Sequence, residues 1–260
     1  MNETRIALVT GANQGVGFQV AKELVANGVT VYVGSRNHER GEIAAAEIGP
    51  GANPLQIDVT DGKSIAAAAE QIRAEHGRLD LLVNNAGISN TQWNRSSSEG
   101  QDGKAFMEEY MKRSKASTAS LEEIHEVWDT NVFGTLAVYQ AMLPLLLQGV
   151  DARIVNVSSA VGSLTLNADP SHPFHARFGP IYPASKTAEN AITLAIMIEL
   201  ESTAIKVNLV SPAFTATNLN AFAGTESVED GSREVVRVAL LGPDGPTGTF
   251  TSWENRTIPW

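Results

Sequence analysis

The run Ile181–Asn190 reads IYPASKTAEN and sets a phenol, Tyr182, four residues ahead of an ammonium, Lys186. Residues at that spacing are neighbours on a helix. A fixed positive charge beside a phenol favours the phenolate and lowers a pKa that is ordinarily about 10. In that setting Tyr182 can give or take a proton near neutral pH. Pro183 suits the first helical position, which puts Tyr182 at the helix mouth. An ordinary surface helix could carry the same pair, so the rest of the chain must decide.

A second feature stands near the start. The strand-like run RIALVT leads into TGANQGVG, where Gly11, Gly15 and Gly17 punctuate a turn before a helical stretch. Glycines there permit a tight turn and let a pyrophosphate approach the backbone. The free N–H groups of the helix start then hold the phosphates. A Gly-rich turn alone is weak; between a first strand and an amphipathic helix it points to a dinucleotide.

The elements that must position these residues alternate along the chain. RIALVT, VTVYVGS, NPLQIDV, LDLLVNNAG, ARIVNVSS and AIKVNLVSP read as strands. GVGFQVAKELVANG, HERGEIAAAEI, SIAAAAEQIRAEHG, LEEIHEVWDTNVFGTLAVYQAMLPLLL and the run after Pro183 read as helices. That rhythm predicts an α/β fold with a doubly wound parallel sheet of about seven strands and helices on both faces. Two segments interrupt it. Residues 89–120 are polar with one helix-like stretch, GKAFMEEYMKRS, and 164–180 hold three prolines and several bulky residues in what reads as a structureless loop. Both follow strand ends, where open α/β sheets bind ligands, so they are expected to wall a cleft. Surface insertion is the plainer alternative.

The 260 residues are 43% hydrophobic and 18% charged, which suits a sizeable core. A formal charge of −10 speaks against nucleic acid as a main partner. The absence of cysteine excludes disulfides, thiol catalysis and Cys-bound metal, and the five histidines are too scattered to form a metal site. The opening stretch lacks signal-peptide regions, and AVYQAMLPLLLQGV is too short and polar to span a bilayer. A cytoplasmic protein without membrane contact is expected.

Taken together, these motifs resemble the short-chain dehydrogenase/reductase family, in its compact single-domain, carbonyl-reductase-like branch. Thr10–Gly17 resembles its glycine motif, Asn84–Gly87 its N-N-A-G, Tyr182 and Lys186 its Y-x-x-x-K, and VSPAFTATNL the segment that closes over a nicotinamide. The resemblance spans nearly the whole chain and implies a single Rossmann-type domain over 1–260, with the two insertions added. It implies hydride transfer between a nicotinamide cofactor and a carbonyl or alcohol. Tyr182 would exchange a proton with the substrate oxygen. Lys186 would lower the Tyr182 pKa and bind the cofactor ribose, Ser159 would hydrogen-bond the carbonyl oxygen, and Asn131 would support a water leading to solvent. Gly11, Asn13, Gln14, Gly15, Val16, Gly17, Arg36, Asp58, Val59, Asn85, Thr215 and Thr217 would join Tyr182 and Lys186 around the cofactor.

Cofactor choice is open to a charge argument. An acidic residue about twenty positions past the glycines holds the ribose 2′-hydroxyl of NAD in such folds. Here that place falls on Arg36, with no Asp or Glu at 35–37, so NADP(H) is expected to be preferred over NAD(H). Gln14, where a basic residue often stands in NADP-preferring relatives, pulls the other way. Ala213 replaces the glycine usual after Pro212, and the insertion before Tyr182 leaves monomer and homo-oligomer both open. Two other functions share the motifs. A catalytically silent dinucleotide sensor is opposed by the filled active positions. An epimerase or dehydratase of the extended branch is opposed by the glycine spacing.

Overall fold

A computed structural model describes residues 4–91 and 103–260. Seven strands pair in parallel in the order β3-β2-β1-β4-β5-β6-β7. They are β1 (Ile6–Val9), β2 (Thr30–Ser35), β3 (Ala52–Gln56), β4 (Leu81–Asn84), β5 (Arg153–Val157), β6 (Lys206–Val210) and β7 (Phe250–Ser252). An eighth, β8 (Arg256–Thr257), turns back antiparallel on β7. The expected α/β sheet is thus present, with one short strand more. Nothing in the periodicity announces a two-residue strand.

Helices alternate with the strands: α1 (Gly15–Ala26), α2 (His38–Ile48), α3 (Gly62–His76), α4 (Gly103–Arg113), α5 (Leu121–Trp128), α6 (Thr135–Leu146), α7 (Leu164–Ala168), α8 (Tyr182–Glu199) and α9 (Val228–Ala239). Local chemistry sets several ends. Asn37 accepts from Arg40 N at 2.9 Å and Asp61 from Lys63 N at 2.9 Å, starting α2 and α3. Gly77 closes α3 in the left-handed conformation, φ 69°.

Side chains on a strand point alternately to opposite faces. Ile6 and Leu8 of β1 accordingly join one core with Ile72 of α3, Met142 of α6 and Ile196 of α8. Ala7 and Val9 join the other, with Leu24 of α1, Ala44 of α2 and Val238 of α9. The strand order reverses between β1 and β4, so their C-terminal ends open a crevice at the place such folds bind ligands. No helix among the described residues is long and apolar enough to cross a membrane.

The segment 164–180 differs from expectation. It is not structureless: it holds α7 and a 3₁₀ turn at His175–Arg177. Ser163 caps α7 by accepting from Leu166 N at 3.2 Å, and Thr165 donates through its hydroxyl to Trp260 O at 2.7 Å. Prolines and polar caps hid this short order from a reading by periodicity.

At the opposite, N-terminal edge of the sheet, buried Asp80 accepts from Ile6 N and Val150 N, each at 2.8 Å. Arg78 Nε also donates to it at 3.3 Å. Asp80→Ala would leave the buried Ile6 N–H and the part-buried Val150 N–H without this partner, and the loss of a buried one costs about 1–3 kcal/mol. The urea midpoint should fall by the equivalent of about 2–4 kcal/mol; an unchanged midpoint would show that water replaces the carboxylate freely.

Candidate active site

The crevice begins with the β1–α1 turn. Gly11 and Gly15 have φ of 63° and 59°, in the left-handed region that favours glycine. Gly17 has a different reason: a Cβ there would meet Gly11 O at 2.6 Å and run into the Asn85 side chain. The α1 start has no side-chain cap and no acidic residue in its first turn, so its N–H groups face the crevice end without a competing anion. Thr10 ties this turn to the end of β4. Its hydroxyl accepts from Asn85 N and Ala86 N, each at 3.0 Å, while Asn85 Nδ2 donates to Thr10 O at 2.9 Å.

Other expected cofactor residues surround the same mouth. Asp58 and Val59 follow β3; the Asp58 carboxylate accepts from Thr60 N at 3.0 Å. Thr215 and Thr217 lie in the stretch after β6. Thr217 Cγ2 stands 3.5 Å from the position a Cβ on Gly15 would take, and Asn218 Nδ2 donates to Gln14 Oε1 at 3.2 Å, so this stretch folds over the glycine turn. Ala213 is not among the residues with positive φ, so alanine costs no backbone strain there. Arg36 is exposed just past β2. A cavity of about 490 Å³ opens beside Asn13 and Gln14, bounded by Phe18, Arg40 and Asn218. Arg40 was not anticipated; its place on the first turn of α2, four residues after Arg36, was the available signal.

On the other side, α8 brings in the phenol and the ammonium. Tyr182 is itself the first helical residue and Pro183 the second, one place from the expected start. Ser159, just past β5, stands beside the Tyr182 phenol and acts to lower its pKa. Gly162 lets the two segments touch: a Cβ there would lie 2.9 Å from Lys186 Cβ and 2.8 Å from its carbonyl carbon. Lys186 Nζ lies 5.9 Å from the Tyr182 ring centre and donates to Val157 O at 2.9 Å. Asn131 sits in a π-helical turn, Asp129–Gly134, a form frequent at functional sites. Its side chain donates to Ile88 O at 2.9 Å and Ser185 Oγ at 3.0 Å and accepts from Ile88 N at 2.9 Å. Both donors are used and one lone pair of Oδ1 is left.

One residue missed by the sequence reading stands in the middle of this group. Glu189, 1% exposed, accepts from Lys186 Nζ at 2.6 Å. It corrects an expectation. Burial pushes the Tyr182 phenol above its ordinary pKa; Lys186 acts in the expected downward direction and Ser159 helps, but Glu189 adds to the rise. Burial also weakens the Lys186 ammonium, yet Glu189 and Tyr182 more than offset it and hold its pKa above the usual lysine value. Burial holds the Glu189 carboxyl above the usual range against the pull of Lys186. An acid three residues past the lysine, on the same helical face, was visible in IYPASKTAEN; its burial was not.

The insertions meet at the site's outer wall. Tyr110 of α4 accepts through its hydroxyl from Tyr182 N at 3.4 Å, next to the start of α8. A Cβ on Gly179 would run into the Ser114 carbonyl, and Trp128 Nε1 donates to Pro180 O at 3.1 Å. Phe178, Phe214 and Phe222 are exposed. Trp93 and the Phe106 side chain lie outside the described residues.

Comparison with known proteins matches the short chain dehydrogenase family over residues 5–227, and the chain belongs to that family. It is 36% identical to the short-chain dehydrogenase anuI of Penicillium roqueforti, over 97% of this chain and 96% of that protein. It is 32% identical to (−)-isopiperitenone reductase of Mentha piperita, over 95% of each. Among solved structures, salutaridine reductase of Papaver somniferum superposes with a TM-score of 0.77 at 29% identity, covering 95% of this chain and 99% of that one. NADPH-bound carbonyl reductase from chicken fatty liver gives 0.78 at 25% identity, covering 99% and 100%. The protein is therefore a catalytic oxidoreductase of this family, using a nicotinamide dinucleotide, and not the silent sensor.

Gly17→Ala tests the glycine turn without needing a substrate. The added Cβ must displace Asn85 or Gly11, at an overpacking cost of about 1–3 kcal/mol. Dinucleotide affinity measured by fluorescence should fall roughly tenfold or more; unchanged affinity would place the phosphates elsewhere.

Proposed function

We propose that the protein is an NADPH-dependent reductase of a small-molecule ketone or aldehyde. The observation that carries the reading is the convergence of Tyr182, Ser159 and Lys186 at the mouth of a glycine-lined crevice. A bound nicotinamide supplies the hydride. The protein's own groups do the rest. Ser159 donates a hydrogen bond to the carbonyl oxygen and holds it against the Tyr182 hydroxyl. Tyr182 gives its proton to that oxygen as negative charge develops there. Lys186 holds the cofactor ribose and steadies the phenol, and Asn131 uses its remaining lone pair to order a water that returns the proton.

The phosphates fit the β1–α1 turn, where Gly11, Asn13, Gln14, Gly15, Val16 and Gly17 leave room and donors. Asp58, Val59 and Asn85 would border the adenosine side, and Thr215 and Thr217 the nicotinamide side. Arg36 and Arg40 would flank the position of a 2′-phosphate; Glu39, the nearest acid in sequence, is exposed on α2, and Glu47 lines the same cavity as Arg40. The chain 1–260 is read as one catalytic domain whose insertions near 89–120 and 164–180 shape the substrate wall. Relatives named as reductases of isopiperitenone and salutaridine agree with a bulky, largely apolar carbonyl compound facing Tyr110 and Phe178.

Nicotinamide absorbance followed with NADPH and a panel of cyclic ketones and aldehydes tests the reading directly. Consumption should depend on the carbonyl, and none with any member would count against it. Tyr182→Phe keeps the ring and removes the proton; turnover should fall roughly 100-fold or more with cofactor affinity nearly intact. Near-normal turnover would remove Tyr182 from its role. Arg36→Asp replaces attraction for the 2′-phosphate by repulsion. A charged contact is worth about 1.5–3 kcal/mol, so the kcat/KM ratio of NADPH to NADH should drop by roughly ten- to hundredfold or more and invert. An unmoved ratio would place the 2′-phosphate away from Arg36.

A further inference from the structure

The ammonium of the active site is not alone. Lys186 and Glu189 form an ion pair at 2.6 Å whose side chains are 4% and 2% exposed. Among the described residues, Lys186 is the one charged side chain acting on Glu189. The groups facing Tyr182 are Lys186 and Glu189 on its own helix, Ser159 on the stretch after β5, and Tyr110 on α4. Of these, the lysine and the glutamate are the ionic pair, joined at 2.6 Å. Their charges oppose each other, so the phenol faces a pair that is close to neutral rather than a lone cation. The turn of α8 that carries the glutamate is also held in place from behind, through its backbone carbonyl. Thr193 donates through its hydroxyl to Glu189 O at 2.8 Å and accepts from Asn156 Nδ2 at 2.8 Å, and Asn156 Oδ1 accepts from Asn84 Nδ2 at 2.9 Å. A polar chain thus runs from β4 through β5 to the turn of α8 that carries Glu189.

We propose that Glu189 is a positioning residue for the reaction: through its buried contact it fixes Lys186 and offsets the ammonium charge beside Tyr182, keeping Tyr182 a proton donor and favouring carbonyl reduction over alcohol oxidation. The inference rests on the carbonyl-reductase reading for its direction of reaction. Reduction requires the phenol protonated at the start; oxidation requires it ionised. A carboxylate that cancels the neighbouring cation extends the pH range over which the first state holds. Lys186 keeps one donor beyond those given to Val157 O and Glu189, so it can still bind a ribose hydroxyl.

The test is Glu189→Gln, which keeps the shape and an acceptor oxygen but removes the charge. Ultraviolet difference titration of the free protein against Tyr182→Phe reports the phenol without substrate or cofactor. In the unmutated protein Tyr182 should ionise above the range of an ordinary phenol, as its burial directs. In Glu189→Gln its ionisation should move down by about one pH unit or more. The high-pH limb of kcat/KM for reduction should move with it, and oxidation of the product alcohol near neutral pH should rise. Glu189→Asp, which retains the charge, should return the limb toward that of the unmutated protein. An unmoved titration in a folded Glu189→Gln would overturn the proposal, as would an aspartate variant that behaves like the glutamine one. If Glu189→Gln does not fold, the unmutated protein decides: ionisation of Tyr182 below about pH 9 would mean that the lysine acts as a lone cation. Because the titration needs no carbonyl substrate, it stands or falls separately from the assigned reaction.

Discussion

A charged group taken out of water must find partners, and Lys186 is nearly inaccessible to solvent. Its partners dictate where α8 lies. Val157 O belongs to the C-terminal end of β5 and Glu189 to the next turn of α8, so satisfying one ammonium fastens the helix to the sheet at the crevice. Gly162 completes the arrangement by allowing the helix backbone to rest directly on the stretch that holds Ser159. The contact between Ser159 and Tyr182 follows from these two constraints. The phenol is placed by the burial of its neighbour as much as by its own packing.

The two sides of the crevice are built differently. The cofactor side is made mostly of backbone: glycines with positive φ, an uncapped helix start, and Thr10 and Asn85 locking the turns of β1 and β4 together. Such a surface recognises phosphates and ribose by geometry common to many sequences. The side proposed to face the substrate is made of side chains from 89–120 and 164–180, where Tyr110 touches Tyr182 and the stretch at Ser114 abuts Gly179. Among the described residues the two larger cores use neither segment, while Leu166 of α7 packs against Leu209 of β6 and Phe250 of β7.

Much of this was legible in the residues because it depends on local signals. Apolar runs of strand and helix period gave the layered sheet, and the glycines announced their turn by the conformations only they adopt readily. Element ends were less legible: LDLLVNNAG pairs only over Leu81–Asn84, since Asn85 and the residues after it turn toward Thr10. The order in 164–180 depends in part on Trp260, far away in sequence, beside the local Ser163 cap. The pKa of Tyr182 was read from a pair, Tyr and Lys, when the structure makes it a matter of four groups and of burial. Glu189 stood in the same ten residues, but only the fold reveals that it faces the lysine and not solvent.

The central claim is that hydride and proton reach the carbonyl from different sources, the nicotinamide and Tyr182. Isotope partition tests it most directly. NADPH carrying deuterium at the transferred position of the nicotinamide should leave that deuterium on the carbinol carbon of the product, measured by mass spectrometry after a single turnover in ordinary water. Unlabelled NADPH in deuterated water should leave the same carbon unlabelled, the solvent isotope entering only the exchangeable hydroxyl. Deuterium from solvent on the carbinol carbon, or none from the cofactor, would contradict the account.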